Sequence, residues 1–494
     1  MGWVLAAVVL LGATESPAAR APKTPAPASL PGTPAGREAA VLIEVFNTGS
    51  GRAMLSFIED HYAKPTLAQR SAKQHLDTFG TLWENTGGLI PQKVESSSEL
   101  SIVLVARDKL AGDSVRLQVD VEAVDPHNIL RVEVQPIEPP SNDAGRPLTD
   151  AQVASATKAY VEKLVAADAF SGAVLIAHGN KVVYQGAFGL ASRAYQVPNR
   201  VDTKFNLGSM NKMFTSVAIA QLVEAGKLSY EDTVGKILPD YPNKAVAEKV
   251  TVHQLLTHTA GLGSYFNDQY MKADKSRFRD VNDYLPLFVQ EPLAFEPGTS
   301  WRYSNSGFML LGAIIEKASG QNYFVYVREH IYKPAGMTNS EAYELDRETP
   351  NLAVGYTSQG PGEQQSPTRE WNNLFLHVVK GGPAGGGFST VEDLWKFSRA
   401  LQAHKLLSAR STELVTTGKV QPSPKHENDK YAYGFSDELV QGTHIVGHNG
   451  GFPGINSQLD IYLGKDYTVA VMSNYDPPAA GRVAQKVRSL LLRK

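Results

Sequence analysis

Residues 205–228 read FNLGSMNKMFTSVAIAQLVEAGKL, and the rest of the chain is organised around them. Gly226 stands where a C′ glycine closes a helix, and residues 213–225 before it are apolar on nearly every side, as in a helix buried in a domain core. Ser209 and Lys212 lie at its entrance, on what reads as its first turn. Their spacing sets a hydroxyl and an ammonium on one helix face, one turn apart. A serine hydroxyl is inert at neutral pH until a base takes its proton. Lysine acts as that base only when its pKa falls well below about 10.4, which burial and a cationic neighbour bring about. The helix N-terminus adds a dipole end that favours the alkoxide.

Ser-x-x-Lys alone is a loose pattern, and Ser155-Ala156-Thr157-Lys158 fits it too. That second match reads as the solvated face of an amphipathic helix over 150–166. Ser209 is set apart by two stretches downstream. Trp301-Arg302-Tyr303-Ser304-Asn305-Ser306-Gly307 precedes FMLLGAIIEK at 308–317, so a phenol and an amide stand at the entrance of another core helix. Tyr-x-Asn recurs at Tyr241-Pro242-Asn243 and Tyr265-Phe266-Asn267, where Pro242 and polar flanks read as turns. The other stretch is Gly447-His448-Asn449-Gly450-Gly451-Phe452-Pro453-Gly454, between β patterns at 443–446 and 456–462. Glycines on a strand let a substrate lie against the backbone and leave amide hydrogens free for an oxyanion. Lys380-Gly381-Gly382 competes for this role but opens the loop GGPAGGGFST rather than a strand, and ranks second.

At 494 residues the chain exceeds what one core usually organises, so two domains are expected. With 42% apolar residues, 20% charged and a net charge of −2, it is of the ordinary globular class, and no basic stripe points to nucleic acid. Zero cysteines excludes disulfides, thiolate metal sites, a cysteine nucleophile and a cysteine-linked lipid anchor. Residues 3–13 form an apolar run too short to span a bilayer, followed by mostly small residues to 21. We read 1–21 as a signal peptide cleaved between 13 and 21, which implies an exported, periplasmic or secreted protein with no stable membrane span.

Residues 22–36 are a proline- and alanine-rich linker. Residues 37–138 form a small α+β domain, with helical patterns at 37–46, 52–62 and 67–83 and strand patterns at 100–107, 114–124 and 129–134. It concentrates no chemistry, and His61 with Tyr62 reads as a helix end. Residues 139–148 are a second linker. The domain at 149–494 opens with a helix over 149–167 and a hairpin, 172–178 and 181–186, turning at Gly179-Asn180.

SMNK, YSN and HNG occur in this order, accompanied by LLTHTAGL at 255–262 and GGGFST at 385–390. Together the five motifs resemble the serine β-lactamase and penicillin-binding-protein superfamily, in the class C-like branch with D,D-peptidases, D-aminopeptidases and esterases. The resemblance covers about 149–494; the first domain resembles the small α+β cone domains fused ahead of secreted serine hydrolases. It implies an antiparallel sheet flanked by helices, with a helical subdomain, and neither metal nor other cofactor. Ser209 would be the acylated nucleophile, Lys212 would take or relay its proton, and Tyr303 would serve as general base and then as general acid. Asn305 would orient Lys212 or the acyl side chain. The amides of Ser209 and Gly451 would form the oxyanion hole, and Gly450 would allow close strand approach. His258 reads as structural.

One departure bears on substrate. Where the family carries Lys-Thr-Gly or Lys-Ser-Gly, this chain has His448-Asn449-Gly450. A histidine with an ordinary pKa of about 6.5 is mostly neutral at pH 7, and an amide replaces the hydroxyl, so anion recognition is weakened. A neutral ester, amide or peptide, whether a small molecule or of peptidoglycan type, is therefore expected ahead of a β-lactam or a free carboxylate. The alternatives are a class C-like β-lactamase, or a catalytically silent relative that binds wall peptides with the first domain as adaptor.

Overall fold

Thr33 accepts the amide of Gly36 and Pro34 occupies the first turn, so helix α1 (Pro34–Asn47) starts inside the stretch read as linker. The computed structural model describes residues 27–137, 146–360, 368–423 and 427–493. The signal-peptide segment at 1–21 and residues 139–145 of the second linker lie outside them. Two compact units divide the chain, Met1–Gly80 with Gly88–Glu138, and Thr81–Gly87 with Pro139–Lys494.

After α1 come α2 (Gly51–His61), α3 (Lys64–Gln69) and α4 (Ala72–Thr86). Strands β1 (Leu89–Ser97), β2 (Ser101–Asp108), β3 (Ser114–Val121) and β4 (Ile129–Ile137) follow, paired antiparallel in that order. β2 and β3 alternate, with Ile102, Leu104, Leu117 and Val119 on the buried face. Two features depart from the sequence pattern. The helix expected over 67–83 is broken at Arg70, whose backbone is extended, and it restarts beyond Ser71, whose amide bonds to the Gln74 side chain. Strand β1 carried no recognisable strand pattern. Its sequence LIPQKVESS has Pro91 at a register shift and mostly half-exposed side chains, which only an edge strand tolerates.

Helix α5 (Asp150–Ala166) begins with a capping box between Thr149 and Gln152. Strands β5 (Gly172–His178) and β6 (Lys181–Phe188) then turn through Gly179, at φ 58°. Helices α6 (Asn211–Glu224), α7 (Asn305–Ser319) and α8 (Val391–Gln402) come next. The chain finishes with β7 (Asp429–Tyr431), β8 (Ser436–Val440), β9 (Thr443–Phe452), β10 (Ile455–Tyr462), β11 (Tyr467–Ser473) and α9 (Ala479–Leu491). Among the described residues these strands form a seven-stranded antiparallel sheet, ordered β7-β8-β9-β10-β11-β5-β6.

Helices cover both faces of this sheet. Tyr467 donates to Asp150 of α5 at 2.6 Å, whereas the next residue, Thr468, bonds Ser398 of α8 at 2.6 Å, and successive strand residues point to opposite faces. Helix α9 packs against α5. Beyond α8 lies the helical half, where α6 and α7 pack together around Phe214, Val217, Leu310 and Ile314, all fully buried. Helix α6 is buried from Asn211 to Ala220 and closes at Gly226, at φ 66°, with the Lys227 amide on the Leu222 carbonyl. An antiparallel sheet flanked by helices, with a helical half beside it, is the expected architecture. Among the described residues no helix is long and apolar enough to cross a membrane.

Candidate active site

Ser209 sits on a 3-10 turn, Gly208–Met210, that feeds α6; the α-helix itself begins at Asn211, just past Ser209, which the sequence pattern placed on its first turn. Gly208 makes this turn at φ 51°, its amide held by the Asn206 side chain at 2.8 Å. The turn presses against β9 with no side chain between. A Cβ on Gly208 would lie 2.9 Å from the Gly451 nitrogen, and a Cβ on Gly450 would lie 2.0 Å from the Leu207 carbonyl oxygen. Ser457 on β10 donates to the same carbonyl at 2.7 Å and locks the contact. Gly386 backs the turn from another side, its amide on the Gly208 carbonyl at 3.1 Å. Ser209 thereby stands beside the backbone of Gly451.

Lys212 is completely buried. Its ammonium donates to the Asn305 side-chain oxygen at 2.9 Å and to the Ala384 carbonyl at 2.5 Å, and lies 4.7 Å from the centre of the Tyr303 ring. Burial drives its pKa well below the ordinary lysine range. Tyr303 shares a hydrogen bond with Ser209; burial raises its phenol pKa, and the bond to Ser209 only partly offsets that rise. Asn305 opens α7, with its amide nitrogen on the Ser264 hydroxyl at 3.2 Å. Ser304 caps the helix by accepting the Gly307 amide at 2.8 Å. The Ser304 amide donates to Nδ1 of His258 at 3.0 Å. His258 is fully buried at φ 62° and packs its ring 4.4 Å from that of Tyr303. Burial drives its pKa well below the ordinary histidine range. This histidine fixes the segment that carries Tyr303 and Asn305.

His448 lies on the buried face of β9. Its Nδ1 bonds the Asn449 carbonyl at 2.5 Å, and a carbonyl only accepts, so Nδ1 carries the proton. Nε2 then accepts the Tyr431 hydroxyl at 3.0 Å. Burial first, and the neighbouring Lys212 second, push its pKa down to about 3. The imidazole is thus neutral at every working pH and is linked to Tyr303 through ring contact, at 6.5 Å between centres. Asn449 and Gly451 are exposed and Gly450 is buried. Ser209, Lys212, Tyr303 and Asn305 are joined by direct contacts, and His448 stands in the next layer of rings.

Residues 157–493 match the family model described as Beta-lactamase. The chain belongs to the β-lactamase family. Penicillin-binding protein 4* of Bacillus subtilis is 32% identical over 316 residues, which is 62% of this chain and 68% of that protein. The crystal structure of a penicillin binding protein from Bacillus halodurans superposes with a TM-score of 0.60 at 32% identity, over 66% of this chain and 98% of that one. A D-stereospecific amidohydrolase from a Streptomyces species gives 0.57 at 27% identity, over 69% and 98%.

In this β-lactamase-family chain the competing motifs fall elsewhere. Ser155 and Lys158 are exposed on α5, where Lys158 faces Glu162. Lys380 pairs with Glu344 at 3.3 Å. Asn243 and Asn267 cap short helices. The sequence reading missed Ala384, Tyr431 and Ser264. Ala384 acts through its carbonyl, which leaves no side-chain signature; its only trace was the glycine-rich loop that contains it.

Proposed function

We propose that this chain is an exported serine hydrolase that works through a covalent acyl-enzyme on a neutral ester, amide or peptide. The observation that carries the reading is the buried Lys212, its pKa driven down, against the ring of Tyr303, whose hydroxyl bonds Ser209. The opposite shifts divide the labour. A neutral Lys212 amine is fit to receive a proton, while Tyr303 holds its own proton and relays, since a phenolate there is disfavoured. As Ser209 Oγ bonds to the acyl carbon, its proton passes through Tyr303 toward Lys212, and the oxyanion rests on the Ser209 and Gly451 amides. The bond to the leaving group then breaks and that group takes the proton. Water repeats the attack on the acyl-serine, releasing the acid and returning the proton to Ser209.

Neutral substrates follow from His448, which carries no charge to hold a carboxylate. The D-stereospecific amidohydrolase among the relatives supports amide or peptide chemistry. The penicillin-binding names of other relatives favour a second reading, in which a β-lactam or a wall peptide acylates Ser209. Export rests on the apolar run at 3–13. The test is intact mass after a fluorophosphonate, with Ser209→Ala alongside, followed by initial rates on p-nitrophenyl acetate, p-nitrophenyl butyrate, nitrocefin and a D-Ala-D-Ala peptide. A Ser209-dependent adduct and ester turnover support the hydrolase, and nitrocefin turnover favours the second reading. No adduct with any reagent would sink both.

A further inference from the structure

The backbone beside Gly451 continues into an aromatic rim. Phe452 is the next residue of β9, and Phe266 stacks on it, with ring centres 5.8 Å and planes 28° apart. His377 meets the Phe452 ring edge-on at 6.5 Å. Both partners of Phe452 are tied to the site. Ser264, two residues before Phe266, holds the side-chain amide of Asn305, and Tyr265 between them is buried. The segment bearing His377 is pinned by Asn373, which donates to the Pro453 carbonyl at 3.0 Å. Despite this anchoring, Phe266 remains 41% exposed, as does Leu374, and Phe375 is 91% exposed. Scattered surface hydrophobes are ordinary, but rings bridging two walls of one site are a contact surface waiting for apolar area. Burial also lowers the pKa of His377, which favours its uncharged form.

We propose that the stacked pair Phe266 and Phe452 forms a platform against which an aromatic or similarly bulky apolar acyl group packs, and so determines which substrates acylate Ser209. This rests on the acyl-enzyme reading and narrows it. An aryl ring laid against this pair gains through offset or edge-on stacking and the removal of apolar area from water. A small acetyl group has too little apolar area to share that gain.

The experiment uses the full chain and one leaving group, comparing kcat/KM for p-nitrophenyl phenylacetate with that for p-nitrophenyl acetate. The phenylacetate-to-acetate ratio is expected to fall about tenfold or more in Phe266→Ala and in Phe452→Ala, while Phe266→Leu retains most of it. Fluorophosphonate labelling of Ser209 in each variant reports that the fold and the nucleophile survive. A ratio unchanged in both alanine variants, with labelling intact, overturns the platform and leaves the hydrolase standing. Failure of the wild-type protein to label overturns the acyl-enzyme reading itself.

Discussion

Lys212 has two hydrogen-bond acceptors and two aromatic rings around it, and its low proton affinity comes from burial. Lys212→Ala and Tyr303→Phe are each expected to lower turnover by about a hundredfold or more with an unchanged circular dichroism spectrum. Lys212→Arg is expected to fail equally, because a guanidinium does not give up its proton at working pH. The sign of the pH dependence follows. A lowered lysine pKa leaves the free amine populated well below pH 10, so kcat/KM should hold through neutral pH and fall only as acid reprotonates Lys212. A pH profile that loses activity below about 10 would contradict this. His448 bears on stability instead. Folded it titrates at about 3 and unfolded near 6.5, so between those values the unfolded chain binds more protons and stability drops as pH falls. His448→Gln should flatten the melting-temperature profile over that window. These side chains were legible because each belongs to a short motif with its own chemistry. The Ala384 carbonyl was not, since its role belongs to the backbone.

At the scale of elements, the site depends on one close backbone contact between the Gly208–Met210 turn and β9. Gly450→Ala would put a methyl group 2.0 Å from the Leu207 carbonyl and force the strand away. The Gly451 amide would move with it, so kcat per folded molecule is expected to fall by about a hundredfold. Gly226→Ala is the contrasting change. That glycine has φ 66° and open space around it, so alanine should cost about 1 kcal/mol of strain, lower the melting temperature by a few degrees and spare activity. Helices α6 and α7 could be read from their apolar runs, as could the hairpin at Gly179. Strand β1 could not, because an edge strand with a proline carries little periodicity. Nor could the 3-10 turn beneath Ser209, which is shaped by Gly208 against a strand distant in sequence.

Among the described residues each of the two units has its own buried core, one around Leu42, Phe46, Ile102 and Leu117, the other around α6, α7 and the seven-stranded sheet. Calorimetry is expected to resolve two transitions, with a fluorophosphonate adduct on Ser209 shifting only that of the second unit. A single transition moving as a whole would contradict this. Long-range pairing was the least legible feature, since nothing in residues 172–178 names their partner. That partner is β11, with His178 opposite Tyr467, whereas the other neighbour, β6, follows immediately in the chain. A ribosome therefore delivers one edge of β5 its mate at once and the other only after nearly all the domain has been made. Until then an apolar strand waits with open amides and carbonyls, an invitation to pair with another chain. Closure of the seven-stranded sheet must therefore wait for β11, and nascent chains halted before it should depend on chaperones and aggregate without them.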